Sequence, residues 1–229
     1  MVDPAHGRRR SAATAALGAT LFDSARTLRR TSLGAGTLLS RIHPRNFGPN
    51  QFNDTGNGNA RFSPILDKNG LIVPTIYAAR TFAGAAMETV FHDILPGGAD
   101  KVVQAAMIEH LAYSRLRLTR KLVVGDLTSR GLNALGLEKS CVIETDAAHY
   151  PLTRALAEDL MDHYPDIQGL AWVSRKDDTS MSFVLFGSRL PDGALESVGA
   201  STSIVRDADT LKDLREVATS IGARISTIP

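Results

Sequence analysis

The sequence predicts an α+β fold, for three reasons. The composition is that of a globular domain, with 43% hydrophobic and 22% charged residues in 229, which is enough apolar material for a sizeable core. Short apolar runs bounded by Gly, Pro, Asn or Asp predict strands, and apolar residues three and four apart predict helices. The two types follow one another without the regular alternation of a doubly wound sheet, so we expect a mixed sheet with flanking helices.

Five apolar runs predict strands. The first spans 36–44 and the second 73–79, and the others are 121–127, 169–174 and 182–187. The polar residues RKDDT between the last two runs predict a hairpin. Residues 102–118 fit a strand and a helix equally well, so both interpretations stay open. Residues 223–228 predict an additional edge strand.

Three segments predict helices in the body of the chain. The first covers 81–94, with Thr81 as its N-cap and a Pro-Gly-Gly run beyond its end. The second begins at Pro151, where leucines recur four residues apart. The third spans 207–221. Between the first two predicted strands, the Asn- and Gly-rich residues 46–61 predict a loop.

The first 35 residues differ from the rest in charge. Six arginines face two aspartates before residue 40. Leu17, Leu21 and Leu28 recur at helical spacing, and Gly34 is a natural stop. We therefore predict a basic, helical amino-terminal extension over 1–35 and one domain over 36–229. The stretch after the arginine triplet is too weakly apolar for a signal peptide.

Composition excludes several classes of function. The net charge is +2, and because the first 40 residues hold a surplus of positive charge, the rest of the chain is slightly acidic, which argues against a global nucleic-acid surface. No apolar run approaches the length of a membrane span. The single cysteine, Cys141, excludes an internal disulfide and a multi-cysteine metal site, as expected for a cytoplasmic protein. We expect Cys141 to be buried as a small hydrophobic residue. The six histidines are scattered without metal-ligand spacing, so no metal site is expected.

Several polar residues lie at the edges of apolar elements, and these are the candidate site residues: Arg41, Arg61, Tyr77, Glu88, Ser174 and Arg175. Glu88 is the least easily explained, because its helix offers little other polar surface and a buried carboxylate needs a partner or a purpose. Each has a structural explanation when taken singly. Arg41 could pair with Glu88 in the interior, Tyr77 could be a core aromatic, and the serine a strand-end hydroxyl.

The order of these residues carries more information than any one of them. The segments RIHPRNFGPNQFN, ARFSP, IYAARTFAGAAMETVFHDI and GLAWVSR followed by FVLF together resemble the RES domain family, over about 40–186. That family is named for an arginine, a glutamate and a serine. The resemblance implies an ADP-ribosyltransferase-like mixed β core and a catalytic domain over 36–229. It also implies consumption of NAD by hydrolysis or phosphorolysis, and a helix-turn-helix antitoxin as partner.

The resemblance also implies roles for the candidate residues. The catalytic set would be Arg41, Glu88 and Ser174, and the substrate-binding set would be Arg61, Tyr77 and Arg175. The chain departs from the family at Ala60, where glycine often precedes the arginine of the RF pair. An alanine there would be strained if the position required a positive φ.

The residue types suit cleavage of the bond between nicotinamide and ribose. This reaction develops an oxocarbenium ion, which the carboxylate of Glu88 would stabilise. Arg41 and Arg61 would hold the pyrophosphate, Tyr77 would stack on nicotinamide, and Ser174 would fix a polar edge of the substrate. Nicotinamide leaves without protonation, so no general acid is required. NAD would be the substrate, and no cofactor, metal, nucleic acid or membrane is expected.

Two alternatives remain open at this point. The protein could transfer ADP-ribose to a protein target as a mono-ADP-ribosyltransferase, because the residues do not distinguish water, phosphate and protein as acceptors. It could also be a non-catalytic interaction protein that retains the fold, with the basic extension as an additional contact surface.

Overall fold

The computed structural model describes residues 26–94 and 101–227. Nine strands of this described part form one mixed sheet, and two more form a small separate sheet. The strands are β1 (Arg30–Leu33), β2 (Leu38–Pro44), β3 (Thr75–Ala79), β4 (Val102–Val103), β5 (Leu111–Leu118), β6 (Leu122–Asp126), β7 (Gly169–Val173), β8 (Met181–Phe186), β9 (Leu195–Ser197), β10 (Thr202–Ser203) and β11 (Arg224–Ile225).

In the large sheet the hydrogen-bonded order is β1-β6-β7-β8-β3-β2-β5-β10, with β9 also paired to β5. Only β6 and β7 run parallel within it, and the other pairs are antiparallel. The small sheet pairs β11 with β4 in parallel.

Helices flank the large sheet and cover its apolar faces. They are α1 (Phe82–Thr89), α2 (Ala105–Ile108), α3 (Ser129–Ala134), α4 (Lys139–Val142), α5 (Tyr150–His163) and α6 (Ala208–Ser220), with short 3₁₀ turns at Ala147–His149 and Gly187–Arg189. This arrangement confirms the predicted α+β class. The predicted hairpin is also confirmed, since β7 and β8 pair directly.

Residues 102–118, left open between strand and helix, contain both. A two-residue strand leads into the single turn of α2, and the rest forms β5. The helix predicted over 81–94 does begin after its N-cap Thr81, but it ends at Thr89. The amide of Phe91 bonds the carbonyl of Ala86 at 3.0 Å, five residues back, which unwinds the last turn. Phe91 is buried, so its burial in the core accounts for the early end.

The structure describes only residues 26–35 of the predicted amino-terminal extension. Residues 1–25 lie outside the described residues, so the division into an extension and a domain stays a prediction. For the last part of this extension, however, the prediction of a helix is wrong. Arg30–Leu33 is strand β1, which pairs with β6, and Leu28 is buried in the core beside it. Pairing with a strand about ninety residues away outweighs the local helical spacing of the leucines.

The prediction that Cys141 is buried is wrong, because its thiol is exposed. The short helix α4 turns Val142 towards the core instead, and Val142 is 3% exposed. In a helix of one turn only one side faces inward, so the preceding residue points to solvent.

One face of the large sheet positions the site. Residues opposite one another in register project to the same face of a sheet. Ala79 of β3 lies opposite Ser40 of β2 and Ser182 of β8. Ser182 in turn lies opposite Trp172 of β7. Tyr77, two residues before Ala79, shares the same face. Helix α1 packs over β2 and β3 on this side.

Candidate active site

A cavity of about 470 Å³ lies between this sheet face, helix α1 and the start of helix α5. Its size is within the range of small-molecule sites. Aromatic and alanine side chains form much of its wall. Its polar or aromatic lining residues are Ser40, Arg41, Asn59, Arg61, Tyr77, Glu88, Thr89, His92, Asp93, Tyr150, Trp172 and Ser182.

Glu88 lines the cavity from helix α1. Its side chain is half-buried rather than fully buried as predicted, because the short helix presents it to the cavity. Among the described residues Glu88 makes no hydrogen bond or ion pair, so the suggested pairing with Arg41 is absent. Burial lowers the pKa of both Arg61 and Lys176, and the charge of Glu88 partly opposes this shift in each. The carboxylate is therefore free to face a ligand, with Arg61 and Lys176 within electrostatic range.

Two contacts fix the position of helix α1. The hydroxyl of Thr81 accepts the amide of Gly84 at 3.0 Å and also hydrogen-bonds Ser180, which precedes β8. A Cβ added at Gly84 would lie 2.0 Å from the Ser180 Oγ. Glycine is therefore required for this close approach. The approach places the helix that carries Glu88 directly against the sheet.

Arg61 lies at the end of the loop and is buried, with 6% exposure. Its guanidinium donates to the Val142 carbonyl at 2.9 Å and to the Thr145 hydroxyl at 2.6 Å. It also lies over the ring of Tyr150, 5.2 Å from the centroid. Burial lowers the pKa of Arg61, and Arg175 lowers it further, whereas Tyr150 and Glu88 raise it. Thr153 donates to the carbonyl of Arg61 and so ties the loop to α5.

Ala60, the departure noted in the sequence, is accommodated without strain. In the described part of the chain, every residue with a positive φ is a glycine. The Ala60 amide bonds the Ser63 carbonyl at 3.0 Å, and Arg154 of α5 donates to the Ala60 carbonyl at 3.1 Å. The loop that carries Arg61 is thus held in place with alanine at this position.

Tyr77 lies in the cavity wall, with its ring in an edge-to-face contact with Trp172 at 6.1 Å. Its hydroxyl accepts the amide of Phe62 at 3.0 Å, which orients the ring. Burial raises the pKa of Tyr77 to about 12. The phenol is therefore neutral at physiological pH.

Ser174 and Arg175 follow β7. Ser174 is fully buried, and its hydroxyl accepts the amide of Lys176 at 3.1 Å. It is not among the residues that line the cavity. Its hydroxyl instead stabilises the turn that carries Arg175 and Lys176. Arg175 is likewise not among the lining residues, and it donates to the Thr145 carbonyl at 2.8 Å. The Nε of Arg175 is buried and, in the part of the chain described, has no hydrogen-bond acceptor.

Arg41 contributes to the cavity wall through its place in β2, but its guanidinium is directed elsewhere. It donates to the carbonyls of Gly48 and Pro49, at 3.3 and 2.7 Å. In register Arg41 lies opposite Ser114, so its side chain leaves the sheet on the face opposite to that of Ser40. Burial lowers the pKa of Arg41 to about 10, which leaves it charged at neutral pH. The structure does not bring its charged group together with Glu88.

Several lining residues were not predicted from the sequence. Tyr150, before the predicted helix start, carries the ring under Arg61 and hydrogen-bonds His92 at 3.3 Å through its hydroxyl. Trp172 and Ser182 were placed in predicted strands without a role. Strand alternation is the signal that could have found them, since it puts both on the face of Tyr77 once the strand order is known.

In residues 26–94 and 101–227, no group of three or more His, Cys, Asp or Glu side chains is arranged to hold a metal ion. None of the helices described is long and apolar enough to span a membrane.

Comparison of the chain with known protein families identifies the family to which it belongs. The model of the RES domain matches residues 38–207. The chain belongs to the RES domain family. Among solved structures, it is similar to a chain in the crystal structure of the M. tuberculosis MbcT–MbcA toxin–antitoxin complex, with a TM-score of 0.58 and 18% identity. The match covers 88% of this chain and 96% of that chain, which indicates a shared fold over nearly the whole of both. A search of curated proteins gave no match.

Proposed function

We propose that this RES domain protein is a toxin that cleaves NAD at the bond between nicotinamide and ribose. The proposal rests on the environment of the Glu88 carboxylate. It is a half-buried carboxylate in the cavity wall, with no hydrogen bond or ion pair to the described residues, and it lies within electrostatic range of Arg61. A carboxylate kept free in a largely apolar cavity suits a substrate whose positive charge moves from the pyridinium ring onto the ribose during the reaction.

The chemistry assigns Glu88 an electrostatic role. As the glycosidic bond of NAD lengthens, positive charge collects on the ribose as an oxocarbenium ion. The electron pair of the breaking bond goes to the pyridinium nitrogen, which neutralises the ring. Nicotinamide therefore departs without a proton, and a carboxylate beside the ribose is the main group needed.

Two neighbouring arginines, Arg61 in the cavity wall and Arg175 beside it, suit the pyrophosphate of NAD. Arg61 and Arg175 both lie near Thr145, and neither forms an ion pair with a carboxylate in the described residues. Guanidinium groups bind phosphate oxygens in paired, charge-assisted hydrogen bonds. In this proposal Arg175 takes the place assigned to Arg41 by the sequence, because the Arg41 guanidinium is bound to loop carbonyls. Ser174 acts through the turn that it holds.

The aromatic wall suits the nicotinamide ring. Tyr77 and Trp172 meet edge to face on the sheet side of the cavity, opposite the helix that carries Glu88. Their rings offer an apolar surface for a planar heterocycle. The Phe62 amide fixes the hydroxyl of Tyr77, so this wall is ordered before a ligand enters.

The decisive experiment is product analysis after incubation of the purified protein with NAD, with and without phosphate. We expect release of nicotinamide, and a loss of about 10²- to 10³-fold in kcat for Glu88→Gln, as for removal of one preorganised electrostatic group. Glu216→Gln is the matched control, because Glu216 is exposed on α6 and lies outside the cavity. Intact NAD with water, phosphate and candidate acceptor proteins all supplied would refute the proposal.

The same experiment separates the possible acceptors. With NAD labelled in the ADP-ribose portion, hydrolysis gives ADP-ribose and phosphorolysis gives its 1″-phosphate. Transfer leaves the label on protein. Binding of NAD without turnover would instead identify a non-catalytic protein of the same fold.

We also propose a protein antitoxin as partner. The fold is shared with a chain from a toxin–antitoxin complex, and the family resemblance points to a helix-turn-helix protein. Expression of the chain alone should lower cellular NAD and arrest growth, and Glu88→Gln should abolish both effects. Co-expression with the product of a neighbouring gene should restore growth, and a complex of the two should purify together.

A further inference from the structure

The floor of the cavity contains two polar atoms that are buried without a hydrogen bond. They are the indole Nε1 of Trp172 and the hydroxyl of Ser182, and neither has a partner among the described residues. Both residues are 2% exposed. Most buried polar groups in proteins are hydrogen-bonded, and a buried donor or acceptor left unpaired is costly. Two such groups on one surface therefore require an explanation.

The two residues are neighbours in the sheet. Trp172 of β7 and Ser182 of β8 lie directly opposite in register, so their side chains leave the same face side by side. Both line the cavity. Ala79 lies on the other side of Ser182 and adds only a methyl group, which leaves room above the hydroxyl. The unpaired groups thus belong to one site.

The pair has a defined hydrogen-bonding pattern. An indole N–H only donates, whereas a serine hydroxyl both donates and accepts. Side by side they match a ligand group that offers an acceptor oxygen next to an N–H donor, as a primary carboxamide does. No cation takes part in this pair, which makes it poorly suited to a phosphate.

The floor is also close to Glu88. Ala85 lines the cavity one helical turn before Glu88 and belongs to the same apolar cluster as Ala79. Residues three apart on a helix have Cβ atoms about 5–6 Å from each other. A pyridine ring can therefore rest its substituent on the floor while its glycosidic bond lies near the carboxylate.

We infer that Trp172 and Ser182 bind the carboxamide of nicotinamide. The indole N–H donates to the amide oxygen, and the Ser182 hydroxyl accepts a hydrogen of the amide nitrogen. This inference rests on the proposed function and adds to it a pair of specificity-determining residues. It fixes the ring end of NAD on the sheet, with the ribose towards α1.

The direct test uses the wild-type protein and needs no turnover. The chain has one tryptophan, so its indole N–H gives a single resonance in a ¹⁵N-labelled sample. Nicotinamide, and also benzamide, should shift that resonance downfield as the hydrogen bond forms, whereas pyridine, which lacks the carboxamide, should not. A resonance unmoved by saturating nicotinamide in a protein that consumes NAD overturns the inference and leaves the proposed function standing.

Adenine is the competing occupant, because its edge also combines an acceptor nitrogen with an amino group. ADP-ribose contains adenine and lacks nicotinamide. A shift with ADP-ribose and none with nicotinamide would assign the floor to adenine and overturn the inference. A shift with nicotinamide and benzamide in a protein that leaves NAD intact would uphold carboxamide binding while refuting the proposed function.

Variants test the two roles separately. Ser182→Ala should raise KM for NAD by about 3- to 10-fold, as for loss of one neutral hydrogen bond, with kcat much less affected. The 3-acetylpyridine analogue of NAD keeps the carbonyl but lacks the amino group, so Ser182→Ala should not raise its KM. Trp172→Phe should raise KM for NAD and for the analogue to a similar degree. Ser197→Ala, in β9 outside the cavity, is the control, and equal effects of Ser182→Ala on NAD and the analogue would contradict the assignment.

Discussion

The guanidinium groups of Arg61 and Arg175 donate to the same acceptor, the carbonyl oxygen of Thr145, at 3.4 and 2.8 Å. Each has a positive neighbour and, within the described residues, no carboxylate in an ion pair. Burial is the main cause of the lowered pKa of Arg61, and Arg175 adds to it. An anion bound between the two would relieve this repulsion, so the arrangement suits a pyrophosphate.

From this pair we expect a selective loss of affinity. Arg175→Gln should weaken ADP-ribose binding by about 10- to 100-fold, the range for hydrogen bonds to a charged group, and should leave nicotinamide binding unchanged. Calorimetric titration of each ligand measures the two effects. Arg215→Gln, at an exposed position of α6, should change neither. Equal weakening of ADP-ribose and nicotinamide would show that Arg175 supports the fold of the cavity and not the phosphates.

Arg41 is expected to act mainly on stability. Arg41→Met would leave the Gly48 and Pro49 carbonyls without their donor, so the free energy of unfolding should fall by about 1–3 kcal/mol. The folded variant should keep kcat/KM for NAD within about threefold of wild type. Urea unfolding and NAD consumption at a temperature where the variant is folded measure both. A loss of activity at unchanged stability would restore the catalytic role that the family resemblance implies.

Helix α1 should not tolerate a methyl group at its contact with Ser180. Gly84→Ala places a Cβ 2.0 Å from the Ser180 Oγ and 2.6 Å from its Cβ, so overpacking should cost about 1–3 kcal/mol. The better helix propensity of alanine offsets at most about 1 kcal/mol of this. Activity should fall as well, because α1 carries Glu88. Thermal unfolding and NAD consumption are the measurements. Gly34→Ala, with nothing within 4 Å of the added Cβ, should leave activity unchanged.

Tyr77 should ionise only at strongly alkaline pH. Burial raises its pKa to about 12, so its neutral form is stabilised by folding and this stabilisation is lost as the pH rises from about 10 through 12. In an ultraviolet titration, wild type and Tyr77→Phe should show nearly the same phenolate absorbance up to pH about 11, where Tyr77 is roughly a tenth ionised. A variant that lacks a full tyrosine signal near pH 10 would show that the phenol is accessible to solvent.

The sequence predicted the fold where signals were local. Thr81 caps its helix as expected, and the hairpin of β7 and β8 followed from two apolar runs around a polar turn. Strand β1 was not predicted, because its partner β6 lies far along the chain and nothing in the local sequence indicates the pairing. The exposure of Cys141 was not predicted for a related reason. Which side of a one-turn helix faces inward depends on what packs against it.

For the site, residue type and order identified Arg61, Tyr77 and Glu88, all of which line the cavity. What could not be predicted was the face of the sheet on which each strand residue lies. Ser40 and Arg41 are adjacent, and only the register with neighbouring strands shows which of them faces the cavity. The same register brings Ser182 beside Trp172.

The cavity is built from two kinds of structure. Its floor belongs to central strands of a nine-stranded sheet, where any displacement would break hydrogen bonds to a strand on each side. Arg61 and Arg175, by contrast, lie in a loop and in a turn after a strand. In the proposed function, substitutions in this loop and this turn would change how the pyrophosphate is held, whereas the strands assigned to nicotinamide are constrained by their hydrogen bonds on both sides. If the proposed function holds, we expect the nicotinamide end of the site to vary less among members of the family than the pyrophosphate end.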